Sequence, residues 1–387
     1  FLGRAAGTGL GGALLAATPV LAQDLDDDDD VAETPSGIVI VLTLVGGLDG
    51  LSLLVPLENE AYYRLRPSTA IRPPGEAGGA IPYSDSWGLH PALAPLLNET
   101  AGAGLAVVGG VGLIAEQRNR SHRVALDNLY LRGEDRGWGT SLVDRNDLDS
   151  AAVWWFGPDR HRLFRRLEGG MGGRRPAATL AGYDSPGAAH RALSLAYRDG
   201  PMAVPARTAL SASSRWSSAV WNETGTPAER GYPPGDLGDA LAATADMVRA
   251  DTGLKFVAVD HHGYDTHRGQ GDGSGGVLAG RLDELARGLR SLWADLGPEA
   301  DSVSVVAVSE FGRLVNENRR GGTNHGRGGV AMILDRSVIS GVHGSFATTD
   351  FVPGAWPVTT DVHSVLAEVL ARRGWDLEDD DLDGEGV

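Results

Sequence analysis

Five apolar runs frame this chain: GIVIVLTLVGG at 37–47, GLAVVGGVG at 104–112, LKFVAVD at 254–260, SVSVVAVSEFG at 302–312 and GVAMILD at 329–335. Runs without polar alternation suit strands covered on both faces, as in a mostly parallel sheet between helical layers. Leu278, Leu282, Leu285, Leu289, Leu292 and Leu296 recur at steps of three and four, which predicts an amphipathic helix with Arg and Asp opposite. A second helix is predicted from about Leu237 to Ala250, and a third from Val362 to Arg372 behind Asp361 as a cap. Strands alternating with helices predict an α/β fold, a three-layer α/β/α sandwich with a largely parallel central sheet. Residues 150–235, rich in Arg, Gly, Pro and Trp with weak periodicity, read as an insertion or cap over that sheet.

In such sheets ligands gather at the carboxyl ends of the strands, and the unusual polar residues fall there. DHHGYDTHRGQGDGSGG at 260–276 holds three of the ten histidines in the chain. Its GYDTH supplies a carboxylate, Asp265, and an imidazole, His267, two residues apart, and an extended segment can turn both to one side. His325 stands between glycines in GGTNHGRGG, where backbone can approach a ligand closely. Glu310 follows the fourth run, where an acid leaving a buried strand needs a partner or a metal. Asp49, in GGLDGL, has the same place after the first run. Each residue alone also fits a plain role: turn formers beside glycine, a Glu310–Arg313 ion pair, a loop histidine. Together they point to a metal or acid–base site.

Cysteine is absent, so any metal is held by His, carboxylate or hydroxyl groups, and disulfides, thiolate sites and a cysteine nucleophile are excluded. The net charge is −17, but seven acids in 24–33 and seven in 376–387 account for all but three of it. A nearly balanced body gives no electrostatic grip on nucleic acid, and the acidic ends read as a flexible linker (23–36) and a solvated tail (376–387).

GGLDGLSLLVP, LHPALAPL, RSHRVALDN, GYDTHRGQ, SEFGRLVNEN and GGTNHGRGG, in this order, resemble the bacterial secreted family called domain of unknown function 1501, which is similar to the alkaline phosphatase and sulfatase superfamily. The resemblance covers residues 37–375 and implies an alkaline-phosphatase-like fold and a bimetal hydrolase of phosphate or related esters. Carried over by motif, it implies one divalent ion (zinc, manganese, magnesium or calcium) on Asp265, His267 and His325, and a second on Asp49 and Glu310. It implies Ser121 as nucleophile, with His122 as a ligand or the residue that orients Ser121. Arg313 and Arg120 are candidate clamps for an anionic ester, small or polymer-linked. The phosphatases usually carry an Asp-His pair where this chain has Glu310-Phe311, and against the family's own pattern Asn324 replaces Asp beside His325 and Leu314 replaces Thr. A secreted binding or assembly protein with one structural ion is the competing class.

Of the remaining histidines, at most one of His261 and His262 should face the site, since adjacent strand side chains point to opposite faces. His90 reads as structural, and His161, His190, His343 and His363 as ordinary core or surface residues. Residues 1–22, mildly apolar and ending in Val20-Leu21-Ala22, read as an export signal remnant of twin-arginine type, which predicts a periplasmic or extracellular protein without stable membrane insertion.

Overall fold

The computed structural model describes residues 35–99, 104–114, 121–133, 135–157, 159–168, 170–172, 225–346, 351–378 and 382. The expected export signal, most of the acidic linker, Arg120, His190 and residues 173–224 of the expected insertion lie outside them.

The large sheet contains β1 (Ile38–Val45), β2 (Gly104–Gly112), β3 (Val153–Phe156), β4 (Met171–Gly172), β5 (Phe256–His262) and β6 (Val303–Val308). A hairpin of β7 (Arg313–Glu317) and β8 (Thr323–His325) follows, and then β9 (Gly329–Asp335), β10 (Gly341–His343) and β11 (Thr360–Asp361) complete the sheet. Its order is β10-β2-β9-β6-β1-β5-β3-β4, with β11 also paired to β2. Every pairing is parallel except those of β9, which runs antiparallel to β6 and β2. The connection from β6 to β9 stays at one end of the sheet, through the β7–β8 hairpin, so β9 must run back.

Alternation along β1 divides the core. Ile40, Leu42 and Leu44 face one layer, with α3 (Asp236–Arg249) and α4 (Val277–Leu296). Val39 and Val41 face the other, with α1 (His122–Tyr130), α2 (Trp138–Arg145) and α5 (Val362–Ala371). This is the expected three-layer sandwich. The six periodic leucines of α4 are all buried, and Asp361 caps α5 by accepting the His363 N–H at 2.7 Å. No helix among the described residues is long and apolar enough to cross a membrane.

Two expectations need correction. The start of the 150–235 region is sheet: β3 pairs in parallel with β5, and Trp154 and Trp155 enter opposite cores. A four-residue run is too short to show as a strand against that composition. The start of the acidic tail is docked, because its scattered leucines have somewhere to go. Leu382 is buried against the α1–α2–α5 layer, its carbonyl accepts from Arg132, and Asp376 exchanges backbone hydrogen bonds with the Asn146 side chain.

His90 is structural, as expected. It is buried at the start of the 3₁₀ turn Pro91–Leu93, and its Nδ1 accepts the Ala92 N–H at 3.1 Å. Burial pushes its pKa from 6.5 down to about 4, against the pull of Asp49 and Asp272. As pH falls below 6.5 the unfolded chain takes up a proton that the folded chain refuses, so stability present above that pH is lost on the way to 4. The full loss is roughly 3 kcal/mol. Between about pH 7 and pH 4, wild type should therefore lose more denaturation free energy than His90→Asn, which keeps the cap. Parallel losses would refute this account.

Candidate metal centre

The registers of β1 with β5 and β6 align Thr43 with both Asp260 and Val308, so three loops leave the sheet together at the carboxyl ends of these strands. Gly46 has φ +128, and a Cβ on it would lie 2.3 Å from the Asp265 nitrogen. Only glycine lets the end of β1 pass under Asp265. At Gly47 (φ +72) a Cβ would lie 2.3 Å from the Phe311 ring, which packs against His122 (5.0 Å between centroids) and His325 (4.6 Å). The double glycine of the first motif thus brings the Asp265 and Phe311 loops together.

Three imidazoles converge on one carboxylate oxygen. Asp265 Oδ1 lies 3.2 Å from His267 Nε2, 3.4 Å from His325 Nε2 and 3.5 Å from His122 Nε2, and the Nε2 atoms of His267 and His325 are 2.9 Å apart. Ligand atoms of His122, Asp265 and His325 all fall within 4.8 Å of one another. His122 Nδ1 is 2.7 Å from Glu310 Oε1, which also accepts the Gly46 N–H at 2.9 Å, while Ser309 donates to Oε2 at 3.0 Å. Oε1 thus meets the Gly46 N–H on one side and His122 on the other, which places the His122 proton on Nδ1 and turns its Nε2 to the cluster. The hydrogen bond to Glu310, more than the opposing burial, raises the His122 pKa. Burial lowers that of His325, with Arg313 and His122 adding to the effect. Burial alone would raise the Asp265 carboxyl, but Arg313 brings it below its ordinary value. Imidazole nitrogens and a carboxylate oxygen gathered in this way form a donor set that fits a divalent cation.

Asp49 and Glu310, expected as a second pair, are each engaged by other side chains. Asp49 is buried and its carboxylate is fully committed: Arg66 binds both oxygens at 2.6 and 3.0 Å, Gln270 donates at 2.6 Å and Ser52 at 3.1 Å. Burial favours the neutral acid, but Arg66 outweighs it and keeps Asp49 below the ordinary carboxylate range. Arg313, expected as an anion clamp, is buried as a post between loops. It donates to the carbonyls of Gly46, Gly47 (2.6 Å), Tyr264 (3.1 Å) and Thr323 (2.8 Å) and to Asp265 Oδ1 (2.6 Å).

The family described as "Protein of unknown function (DUF1501)" matches residues 176–380, more than half of the chain. The chain belongs to this family. No curated protein matches it. Among solved structures it is similar to Ps i-CgsB in complex with k-i-k-neocarrahexaose, at 12% identity and a TM-score of 0.39, over 90% of this chain and 74% of that one. It is also similar to a protein in the alkaline phosphatase superfamily from Vibrio parahaemolyticus (10%, TM-score 0.39, 92% and 70%). A third similar structure is the C-terminal periplasmic domain of EcEptC from Escherichia coli, in complex with Zn (10%, TM-score 0.33, 82% and 76%).

Ser121 is exposed at the N-cap position of α1, directly before His122, and its side chain makes no cap hydrogen bond. His261 turns to the face of Tyr264, whose hydroxyl is 2.9 Å away, and of Glu284 at 3.5 Å. His262 is exposed at the end of β5. His161 is more than an ordinary residue: its Nδ1 accepts the Leu163 N–H and its Nε2 meets Asp260 at 3.0 Å. Arg66 and Gln270 had no sequence signal of their own, because a buried carboxylate seventeen residues from its guanidinium leaves no local pattern.

Proposed function

We propose that this protein is an exported, metal-dependent hydrolase of phosphate or related esters, with one divalent ion on Asp265, His267 and His325 and with His122 as the acid–base group beside it. The convergence of three Nε2 atoms on Asp265 Oδ1 carries the reading. Asp265, His267 and His325 would hold the ion as three protein ligands, the number usual for a catalytic site. Zinc, manganese, magnesium or calcium bound there supplies Lewis-acid polarisation of an ester oxygen. The partners already held by Asp49 and Glu310 support one ion rather than the two implied by the resemblance.

The chain's own groups divide the remaining work. Glu310 orients the His122 ring and stabilises its imidazolium, so Nε2 can take the proton of an attacking hydroxyl and return it to the leaving oxygen. Ser121, at the start of α1, supplies the hydroxyl, where the positive end of the helix favours an anionic group; water, giving its proton to the same Nε2, then cleaves the Ser121 ester, and that proton returns to Oγ. Arg313 holds the Gly46, Tyr264 and Thr323 loops at fixed separation.

Metal-free protein reconstituted with each of the four ions should hydrolyse at least one of p-nitrophenyl phosphate, bis-p-nitrophenyl phosphate and p-nitrophenyl sulfate, and chelator should remove the activity. Bound metal without turnover on any ester favours the binding-protein reading, to which the full commitment of Arg313 lends some support. The export part is tested by cell fractionation: retention of the full-length product in the cytoplasm would contradict it.

A further inference from the structure

The β7–β8 hairpin turns through residues 318–322, and this turn holds a chain of hydrogen bonds whose direction is fixed at one end. The backbone N–H of Arg320 can only donate, and it donates to Asn318 Oδ1 at 2.8 Å. That settles which end of the Asn318 amide is oxygen. Its Nδ2 therefore faces the His267 carbonyl and Asn324 Oδ1, each at 3.1 Å. An amide NH2 can only donate, so the atom it meets on Asn324 is the acceptor oxygen. The same oxygen lies 3.3 Å from His267 Nδ1, and an acceptor facing an imidazole nitrogen requires a proton there. His267 thus carries a proton on Nδ1, which in the neutral ring leaves the lone pair on Nε2, the atom 3.2 Å from Asp265 Oδ1 and 2.9 Å from His325 Nε2.

We infer that Asn318 and Asn324 are positioning residues that lock His267 in the Nδ1–H tautomer and so present Nε2 to a cation. For its effect on affinity this rests on the metal site proposed above; the tautomer itself does not. Without an acceptor at Nδ1 the ring can place its proton on Nε2 and turn an N–H toward the cluster, which blocks ligation. The departure from the family pattern at Asn324 gains a reason here. A neutral amide oxygen serves as well as a carboxylate to fix the proton, and it adds no negative charge beside Asp265. Asn318 also holds the His267 backbone, so ring and main chain are fixed from one turn.

The test is histidine nitrogen NMR of the metal-free protein at about pH 8, with the His267 signals identified as those lost in His267→Gln. Wild type should show the Nδ1–H tautomer, and Asn324→Ala should shift it toward Nε2–H. In zinc titrations against a competing chelator, affinity should fall about 10–100-fold in Asn324→Ala and be kept or tightened in Asn324→Asp. Asn318→Ala, which leaves the Asn324 amide in place, should show a smaller shift in the same direction, and it replaces Asn324→Ala should that variant not fold. A wild-type Nε2–H tautomer, or a tautomer unmoved in both alanine variants, overturns the inference. The expected tautomers in a wild type that takes up no zinc would leave the inference standing and remove the metal reading.

Discussion

Asp49→Ala is expected to cost the folded protein about 3–5 kcal/mol while leaving its metal-binding capacity intact. The Arg66 guanidinium is wholly buried, and Asp49 is its only carboxylate partner among the described ion pairs. Removing Asp49 leaves an uncompensated charge in the core, which costs more than the pair itself contributes. It also takes the acceptor of the buried Ser52 hydroxyl and leaves Gln270 Nε2 with Ser52 Oγ at 3.1 Å in place of two acceptors. Arg66 further donates to the carbonyls of Leu314 (3.0 Å) and Val315 (2.6 Å), so Arg66→Met should also destabilise, and the double variant should lose less than the two single losses combined. Urea midpoints and slopes for the four proteins of this cycle measure it. A folded Asp49→Ala protein with wild-type stability and no bound ion would return Asp49 to the metal site.

His122→Ala should lower ester turnover by about 10²–10⁴-fold, the usual contribution of a positioned acid–base group, without changing metal content. The prediction separates two roles that the cluster geometry allows, since His122 Nε2 is almost as near Asp265 Oδ1 as the other two imidazoles are. Glu310 decides between them: a buried carboxylate on Nδ1 stabilises the protonated ring, which suits proton transfer. Ser121→Ala should lower turnover at least as far, again at constant metal content. Steady-state kinetics beside elemental analysis of the same preparations gives both readouts. Loss of the ion in His122→Ala would make His122 a ligand instead.

The architecture was legible because buried parallel strands leave continuous apolar runs: all five predicted runs are strands of one sheet, and the three predicted helices pack on its two faces. What escaped was short or long-range. The strand Val153–Phe156 is too brief for periodicity, and the antiparallel sense of β9 follows from the hairpin before it, not from its composition. At the site, the motif residues Asp265, His267, His325 and His122 do come together, because glycines at strand ends mark where loops must approach closely. Asp49 and Glu310 have the same local context, and only the positions of Arg66 and His122 in three dimensions give each a partner.

The most direct test of the metal centre is ion content per chain, by elemental mass spectrometry on protein purified without chelator and again after reconstitution with zinc, manganese, magnesium and calcium. The proposed site predicts one divalent ion per chain, lost in His267→Ala and Asp265→Asn and kept in folded Asp49→Ala. No ion under any of these conditions, or one that survives His267→Ala and Asp265→Asn, would contradict it.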